Sequence, residues 1–174
     1  MNMRNKKVLF ITQAAVIAAI YVVLTVFIAA FDLASGTIQV RISEALCILP
    51  YFTPAAVPGL WIGCLLANLV TGATIWDIVF GSLATLLGAV FTYLLRRHKF
   101  LCTLPPVIAN AAIIPPVLIF AYHIPDVIWK GVNITWVFII VTVGLGEVIS
   151  VCILGSLLLA VLSKYRNVIF KEWA

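Results

Sequence analysis

Long apolar runs follow one another along almost the whole chain, separated by short polar interruptions. Lipid offers no water to hydrogen-bond an exposed backbone, so a segment inside it must satisfy its own amides, as a helix does. Crossing a bilayer takes about 20 apolar residues in helical form. Of the 174 residues, 64% are hydrophobic and only 10% are charged, against about 25% charged in soluble domains. The sequence therefore excludes a water-soluble globule and predicts an all-α, multi-pass membrane protein.

The chain contains six apolar runs, which together predict a single membrane domain that covers residues 1–174. Pro50, Pro54 and Pro58 place a tight bend between the second and third runs. The pair Pro115-Pro116 is expected to kink or locally break the fifth. The first run follows a basic stretch but has no small-residue cleavage site, so we expect a retained span rather than a signal peptide. The six predicted transmembrane helices cover about residues 8–31, 42–51, 55–70, 76–95, 104–122 and 135–162.

Basic residues gather in alternate loops, and lysines and arginines are retained on the cytoplasmic side of a membrane. Nine of the eleven lie in the N-terminal tail, the loop after the fourth span and the C-terminal tail: Arg4, Lys6, Lys7, Arg96, Arg97, Lys99, Lys164, Arg166 and Lys171. Only Arg41 and Lys130 fall on the other side. We therefore expect both termini in the cytoplasm and Trp76, Trp129 and Trp136 at the outer interface. Because these charges sit at span ends, the net charge of +5 does not indicate nucleic-acid binding.

A few polar side chains lie within the apolar runs, where a charge costs about 2.5 to 3.5 kcal/mol on insertion scales. Glu147 lies about a dozen residues into the sixth span, roughly 18 Å from its outer end, and glycines beside it leave room for a ligand. A structural pairing of Glu147 is the alternative. Most of the set lies in the outer half or middle of the membrane, which predicts a pocket open to the outside. The candidate binding residues are Glu147, Glu44, Asn68, Asp77, Arg41, Asn110 and Trp76.

Three of these candidates have simpler explanations that stay open. Arg41 and Glu44 are three residues apart, a helical spacing that allows them to form an ion pair with each other. Asp77 stands at the outer start of the fourth span, where the helix dipole favours a carboxylate without any ligand.

Small residues form a strip on the first span. Ala14, Ala15, Ala18 and Ala19 make two overlapping pairs spaced four apart, on which another helix can pack closely. Gly59 and Gly63 form a similar pair in the third span. Packing within the chain and docking of a partner are both compatible with such strips.

Enzyme signatures are missing from the sequence: it has no nucleophile elbow, no HExxH and no phosphate-binding glycine loop. We therefore expect no catalytic residues, no cofactor and no bound metal, and we interpret the four cysteines as small core residues. A binding and translocation subunit then needs an energy source from elsewhere. A self-sufficient secondary transporter of a nucleobase-like or vitamin-like solute is the alternative, but it needs a coupling-ion path through an inner half that lacks charged residues. A membrane-embedded enzyme is a third possibility for which no reactive pair stands out.

Four segments resemble the QueT family, in order along nearly the whole chain. They are residues 38–46 (IQVRISEAL) continuing through 49–60 (LPYFTPAAVPGL) to 67–69 (ANL), residues 76–86 (WDIVFGSLATL) and residues 142–147 (TVGLGE). The resemblance implies a substrate-binding S-component of an energy-coupling-factor (ECF) importer in a prokaryotic plasma membrane, associated with uptake of queuosine precursors. It further implies a six-helix S-component bundle, a partner module with a transmembrane coupling subunit and two ATPases, and docking of that subunit on the alanine strip.

A 7-deazaguanine ligand would present paired N–H donors that one carboxylate can accept, and a carbonyl that needs a donor such as an amide. Aromatic faces such as that of Trp76 would stack on the base. A second carboxylate or an aromatic face could hold an aminomethyl cation. Queuine, its aminomethyl precursor and its nitrile precursor remain open as ligands.

Overall fold

A computed structural model describes residues 3–30, 41–122 and 125–170, and nearly all of them are helical. The loop predicted at residues 34–37, motif residues 38–40 and Lys171 lie outside the described residues. In chain order the elements are α1 (Met3–Ala30), a 3-10 helix (Ile42–Tyr51), α2 (Ala56–Val70), a π-helical turn (Asp77–Gly81), α3 (Ser82–Leu94), a 3-10 turn (Leu101–Thr103), α4 (Leu104–Tyr122), β1 (Ile128–Trp129), β2 (Val132–Asn133), α5 (Thr135–Glu147), a π-helical segment (Val148–Leu154), α6 (Gly155–Lys164) and α7 (Arg166–Ile169).

Within the described residues, four continuous helical stretches are long and apolar enough to cross a membrane: Asn5–Ala30, Asp77–Leu94, Leu101–Tyr122 and Thr135–Lys164. The 3-10 helix and α2 are apolar but shorter. At 1.5 Å per residue α2 is only about 22 Å long, less than the hydrocarbon core of a typical bilayer. The prediction of an all-α membrane protein is confirmed. The number of six spans and the cytoplasmic side of the termini stay predictions.

The 3-10 helix lies in the middle of the protein. Residues 43–50 are all buried, and the helix packs against α1, α2, α3, α6 and the π-helical segment after α5. Runs of 3-10 helix are usually only three or four residues long, because their hydrogen-bond geometry is poor. Contact with several surrounding helices stabilises this longer one. The predicted second span is thus a buried central element, with Glu44 near its beginning.

Helices α1 and α2 approach each other at the two glycines of α2. A Cβ atom built at Gly59 would lie 2.7 Å from the backbone oxygen of Ala14, and one at Gly63 would lie 3.0 Å from the Cα atom of Ala18. The absence of a side chain therefore allows this contact between backbones. Tyr21, one turn beyond Ala18, continues the interface and is fully buried.

Helix α4 runs without interruption through Pro115 and Pro116. Of the two predicted outcomes, a kink or a local break, the break is therefore wrong and the kink stays a prediction. Both prolines lack an amide proton, but α4 is packed between α3 and α5, and Pro115 is fully buried. Packing against neighbouring helices holds the helix together where local sequence opposes it.

Between α4 and α5 the described chain forms a two-stranded hairpin, with Ile128 opposite Asn133 and Trp129 opposite Val132. Lys130 and Gly131 form its turn with positive φ angles of 50° and 80°, the conformation of a two-residue hairpin loop.

Candidate functional site

Three polar side chains from distant parts of the sequence meet at a small internal cavity. Arg41 comes from the residue before the 3-10 helix, Asn110 from α4 and Glu147 from the last residue of α5. Ile114 and Val143 complete the lining of this cavity, which we call the polar cavity. Its volume of about 20 Å³ is enough for about one water molecule.

Two atoms at the polar cavity have unused hydrogen-bonding capacity. The amide of Asn110 lies beside the carboxylate of Glu147, and these side chains are only 4% and 7% exposed. Among the described residues, neither Nδ2 of Asn110 nor Oε2 of Glu147 has a hydrogen-bond partner. A buried polar atom left unpaired costs about 1 to 3 kcal/mol. The donor and the acceptor thus lie close enough to influence each other but do not form a hydrogen bond of good geometry, so a polar molecule between them can satisfy both.

Arg41 connects the polar cavity with a second, larger one. It also lines a cavity of about 170 Å³ together with Ser43, Asn68 and Thr71. The guanidinium is within electrostatic reach of Glu44 and Asp77 as well as Glu147. One cation therefore interacts electrostatically with three carboxyl groups, and Arg41 is the residue that lines both cavities.

Glu44 has its carboxylate oxygens engaged inside the protein. The hydroxyl of Tyr21 donates to its Oε1, and the thiol of Cys47 donates to Oε2 at 3.0 Å. Glu44 is only 1% exposed. This arrangement joins α1 to the 3-10 helix. The sequence offered no signal for Tyr21, which stands in an otherwise apolar run.

Asn68 and Asp77 hold the start of the fourth predicted span in place. Nδ2 of Asn68 donates to the backbone oxygen of Asp77 at 3.2 Å. The hydroxyl of Tyr122 donates to Oδ2 of Asp77 at 2.5 Å. These bonds join the end of α2, the π-helical turn and the end of α4. Asp77 also stands in the first turn of its helix, as the dipole explanation requires.

Trp76 lies apart from the polar residues. It is 54% exposed, and its ring stacks on Phe80 with centroids 6.0 Å apart. Both rings line an apolar groove of about 500 Å³ between α3 and α4, which also includes Phe120. Trp76 is absent from the lining of the polar cavity.

The alanine strip divides between two environments. Ala14 and Ala18 contact the glycines of α2, and Ala18 is only 7% exposed. Ala15 and Ala19 are exposed on the surface of α1. Packing within the chain thus occupies one half of the strip, and the other half is open to a partner.

Both π-helical elements begin beside a candidate carboxylate. Asp77 is the first residue of one, and Glu147 immediately precedes the other. Such wider turns are rare and frequent at functional sites, since they displace the side chains around them. The sequence did not predict either element.

Comparison with known proteins places the chain in a family. A family model described as "QueT transporter" matches residues 11–164. The chain belongs to the QueT transporter family. The family resemblance in the motifs is therefore confirmed. As a member of a transporter family with several apolar helices, the chain is a multi-pass cell-membrane protein and not an enzyme.

One curated QueT relative is the "Queuosine precursor transporter QueT" of Lactococcus lactis subsp. cremoris (strain MG1363). It is 32% identical over 84 residues, which are 48% of this chain and 49% of the relative. The match spans about half the length of that relative. No solved structure matches the chain significantly.

Proposed function

We propose that this chain is the substrate-binding S-component of an ECF-type importer and that it captures a 7-deazaguanine precursor of queuosine from outside the cell. The observation that carries the proposal is the buried pair formed by Glu147 and Asn110, with one unpaired acceptor and one unpaired donor. A deazaguanine offers the complementary set, since its N–H groups suit a carboxylate and its carbonyl suits an amide. The name of the Lactococcus relative supports the same ligand class.

The ligand enters by separating the walls of the polar cavity, because about 20 Å³ is too small for a two-ring base. A change in the position of the Arg41 side chain joins this space to the neighbouring cavity of about 170 Å³. The side chains of Ser43, Asn68 and Thr71 then lie on the route to Glu147.

The charges around Arg41 favour the aminomethyl precursor among the three open ligands. Arg41 lies within electrostatic reach of Glu44, Asp77 and Glu147, and Glu147 also lies within reach of Glu44. An excess of carboxylates attracts a cationic ligand. Both oxygens of Glu44 and Oδ2 of Asp77 already accept internal hydrogen bonds, so a ligand amine meets the free acceptor Oε2 of Glu147 or displaces one of these bonds.

Six spans with cytoplasmic termini complete the proposed architecture, supported by the nine basic residues in alternate loops. The coupling subunit docks on the exposed half of the alanine strip, Ala15 and Ala19. Transport energy comes from the two ATPases of the same module. A secondary transporter would work without that module, so uptake assays in a host with and without it separate the two functions.

Binding to purified protein tests the proposed ligand. Glu147→Gln keeps the side-chain shape but replaces an acceptor oxygen with a donor, so affinity for queuine and its aminomethyl precursor falls about 5- to 150-fold. Asp126→Asn is the matched control, because Asp126 is exposed in the loop before α5, and it leaves affinity unchanged. A folded Glu147→Gln protein that binds every precursor as tightly as the parent contradicts the assignment of Glu147.

A further inference from the structure

A further cavity lies where the turn before α2, the loop after α3 and the start of α7 meet, and it shares no lining residue with the two cavities around Arg41. One wall is formed by Tyr51, the last residue of the 3-10 helix, and by Phe52 and Pro54 in the turn before α2. Tyr93 and three arginines complete it: Arg96, Arg97 and Arg166. Its volume is about 280 Å³, just below the roughly 300 to 1,000 Å³ of drug-sized ligand pockets. We call it the arginine cavity.

The chain holds Arg166 at this cavity through the helix that follows α6. Phe170 is 6% exposed, and its ring stacks on Phe52 with centroids 5.0 Å apart. The stack fixes the short helix α7 against the turn before α2. Arg166 is therefore placed by the fold, and its Nε atom is buried without a hydrogen-bond partner among the described residues.

The other two arginines are exposed and complete a positively charged wall. The guanidinium of Arg96 lies 3.9 Å from the ring centroid of Tyr93, and its Nη1 donates to the Tyr93 backbone oxygen at 3.4 Å. This stacking keeps one guanidinium at the rim, beside that of Arg97. Three guanidiniums in one cavity repel each other unless an anion lies between them.

Acidic side chains do not balance this charge within the described part of the chain. The sequence has six acidic residues, of which Asp32 and Glu172 lie outside the described residues. None of the other four, Glu44, Asp77, Asp126 and Glu147, lines the arginine cavity. The described counter-charges therefore belong to other sites.

We propose that the arginine cavity binds a phosphate group, supplied by the headgroup of an anionic phospholipid. Planar guanidiniums suit phosphate because they donate paired hydrogen bonds to its oxygens. The lining comes from helix ends and turns, where a membrane protein meets the headgroup layer. Val168 and Ile169 of α7 are 79% and 48% exposed, so the same short helix offers apolar contacts for acyl chains. Basic pockets at such positions recognise anionic headgroups.

Native mass spectrometry of the purified full chain tests this site, with phosphatidylglycerol and phosphatidylcholine added in separate arms. We expect phosphatidylglycerol to be retained preferentially. Arg166→Gln lowers its affinity about fivefold, the contribution of one basic residue near an anionic surface. Arg97→Gln gives a similar decrease and covers the case in which Arg166→Gln does not fold. Lys99→Gln is the matched control, since it removes an exposed charge of the same loop that does not line the cavity.

A third arm adds inorganic phosphate to separate the two sources of the group. Phosphate that displaces bound phosphatidylglycerol only at high excess supports the lipid as the occupant. Tight binding of inorganic phosphate with no preference for phosphatidylglycerol overturns the lipid assignment. If Lys99→Gln and Arg166→Gln lower the affinity for phosphatidylglycerol equally, general surface charge explains the binding, and this result also overturns the proposal. A last variant, Glu172→Gln, removes an acidic residue of the C-terminal tail. If this variant retains phosphatidylglycerol and the parent does not, the chain's own tail neutralises the cavity and the proposal is wrong.

Discussion

Replacing Gly59 by alanine tests the close contact between α1 and α2. The new Cβ atom would lie 2.7 Å from the backbone oxygen of Ala14 and 3.1 Å from Cβ of Ile17. A backbone oxygen cannot move aside as the end of a flexible side chain can, so α1 and α2 must separate. Such overpacking costs about 1 to 3 kcal/mol. The better helix propensity of alanine returns up to about 1 kcal/mol.

Because the obstacle is a rigid backbone atom, the overpacking cost lies in the upper part of this range, about 2 to 3 kcal/mol, and the expected net loss is about 1 to 2 kcal/mol in the free energy of unfolding. For a chain of this size each kcal/mol shifts the Tm by about 2 to 4 °C. We expect Gly59→Ala to lower the Tm by about 2 to 8 °C in thermal unfolding of the detergent-solubilised protein. Gly144→Ala is the matched control, because nothing lies within 4 Å of its added Cβ atom. Its Tm stays the same or rises slightly.

A second substitution shows whether the backbone or the side chain of Ala14 causes the loss of stability in Gly59→Ala. Ala14→Gly removes a side chain but leaves the backbone oxygen in place, so it does not rescue Gly59→Ala. Recovery of the parent Tm in this double variant would show that a side chain causes the strain. A Gly59→Ala protein as stable as the Gly144→Ala protein would refute the close approach of α1 and α2.

Three further predictions concern the surface, the core and the topology. Ala19→Trp abolishes uptake by the complete importer but preserves ligand binding by the isolated chain, and normal uptake with this variant would mean that this face contacts lipid only. Ala18→Trp instead lowers the Tm, because Ala18 packs against Gly63. Tyr21→Phe leaves an oxygen of buried Glu44 without its donor and lowers stability by about 1 to 3 kcal/mol, and an unchanged Tm in thermal unfolding contradicts that role. A cysteine introduced at His98 reacts with an impermeant reagent only after the cells are opened, and strong labelling of intact cells overturns the proposed orientation.

Helix positions could be predicted from the sequence because apolar surroundings leave the backbone little choice. The predicted fifth span, residues 104–122, coincides with α4 (Leu104–Tyr122). The third and fourth agree with their helices within about one residue at each end. The polar candidates followed from the same reasoning, since a charge or amide in an apolar run needs a reason to be there.

Tertiary structure decided which side chains meet. A helix surrounded by lipid is apolar on every side, so its sequence does not reveal which face packs inward. Ala18 and Ala19 are neighbours of the same chemical type, yet one is buried against α2 and the other is exposed. Tyr21 looked like one more member of an apolar run until the fold placed its hydroxyl on Glu44.

The helix irregularities also depended on tertiary contacts. Pro115 and Pro116 predicted a break that packing between α3 and α5 prevents. The π-helical elements beside Asp77 and Glu147 had no local sequence signal. Local sequence determined where this chain is helical, because unpaired amides are costly in lipid. Contacts between helices determined how Arg41, Asn110 and Glu147 came to share one cavity, because those contacts join residues far apart in the chain.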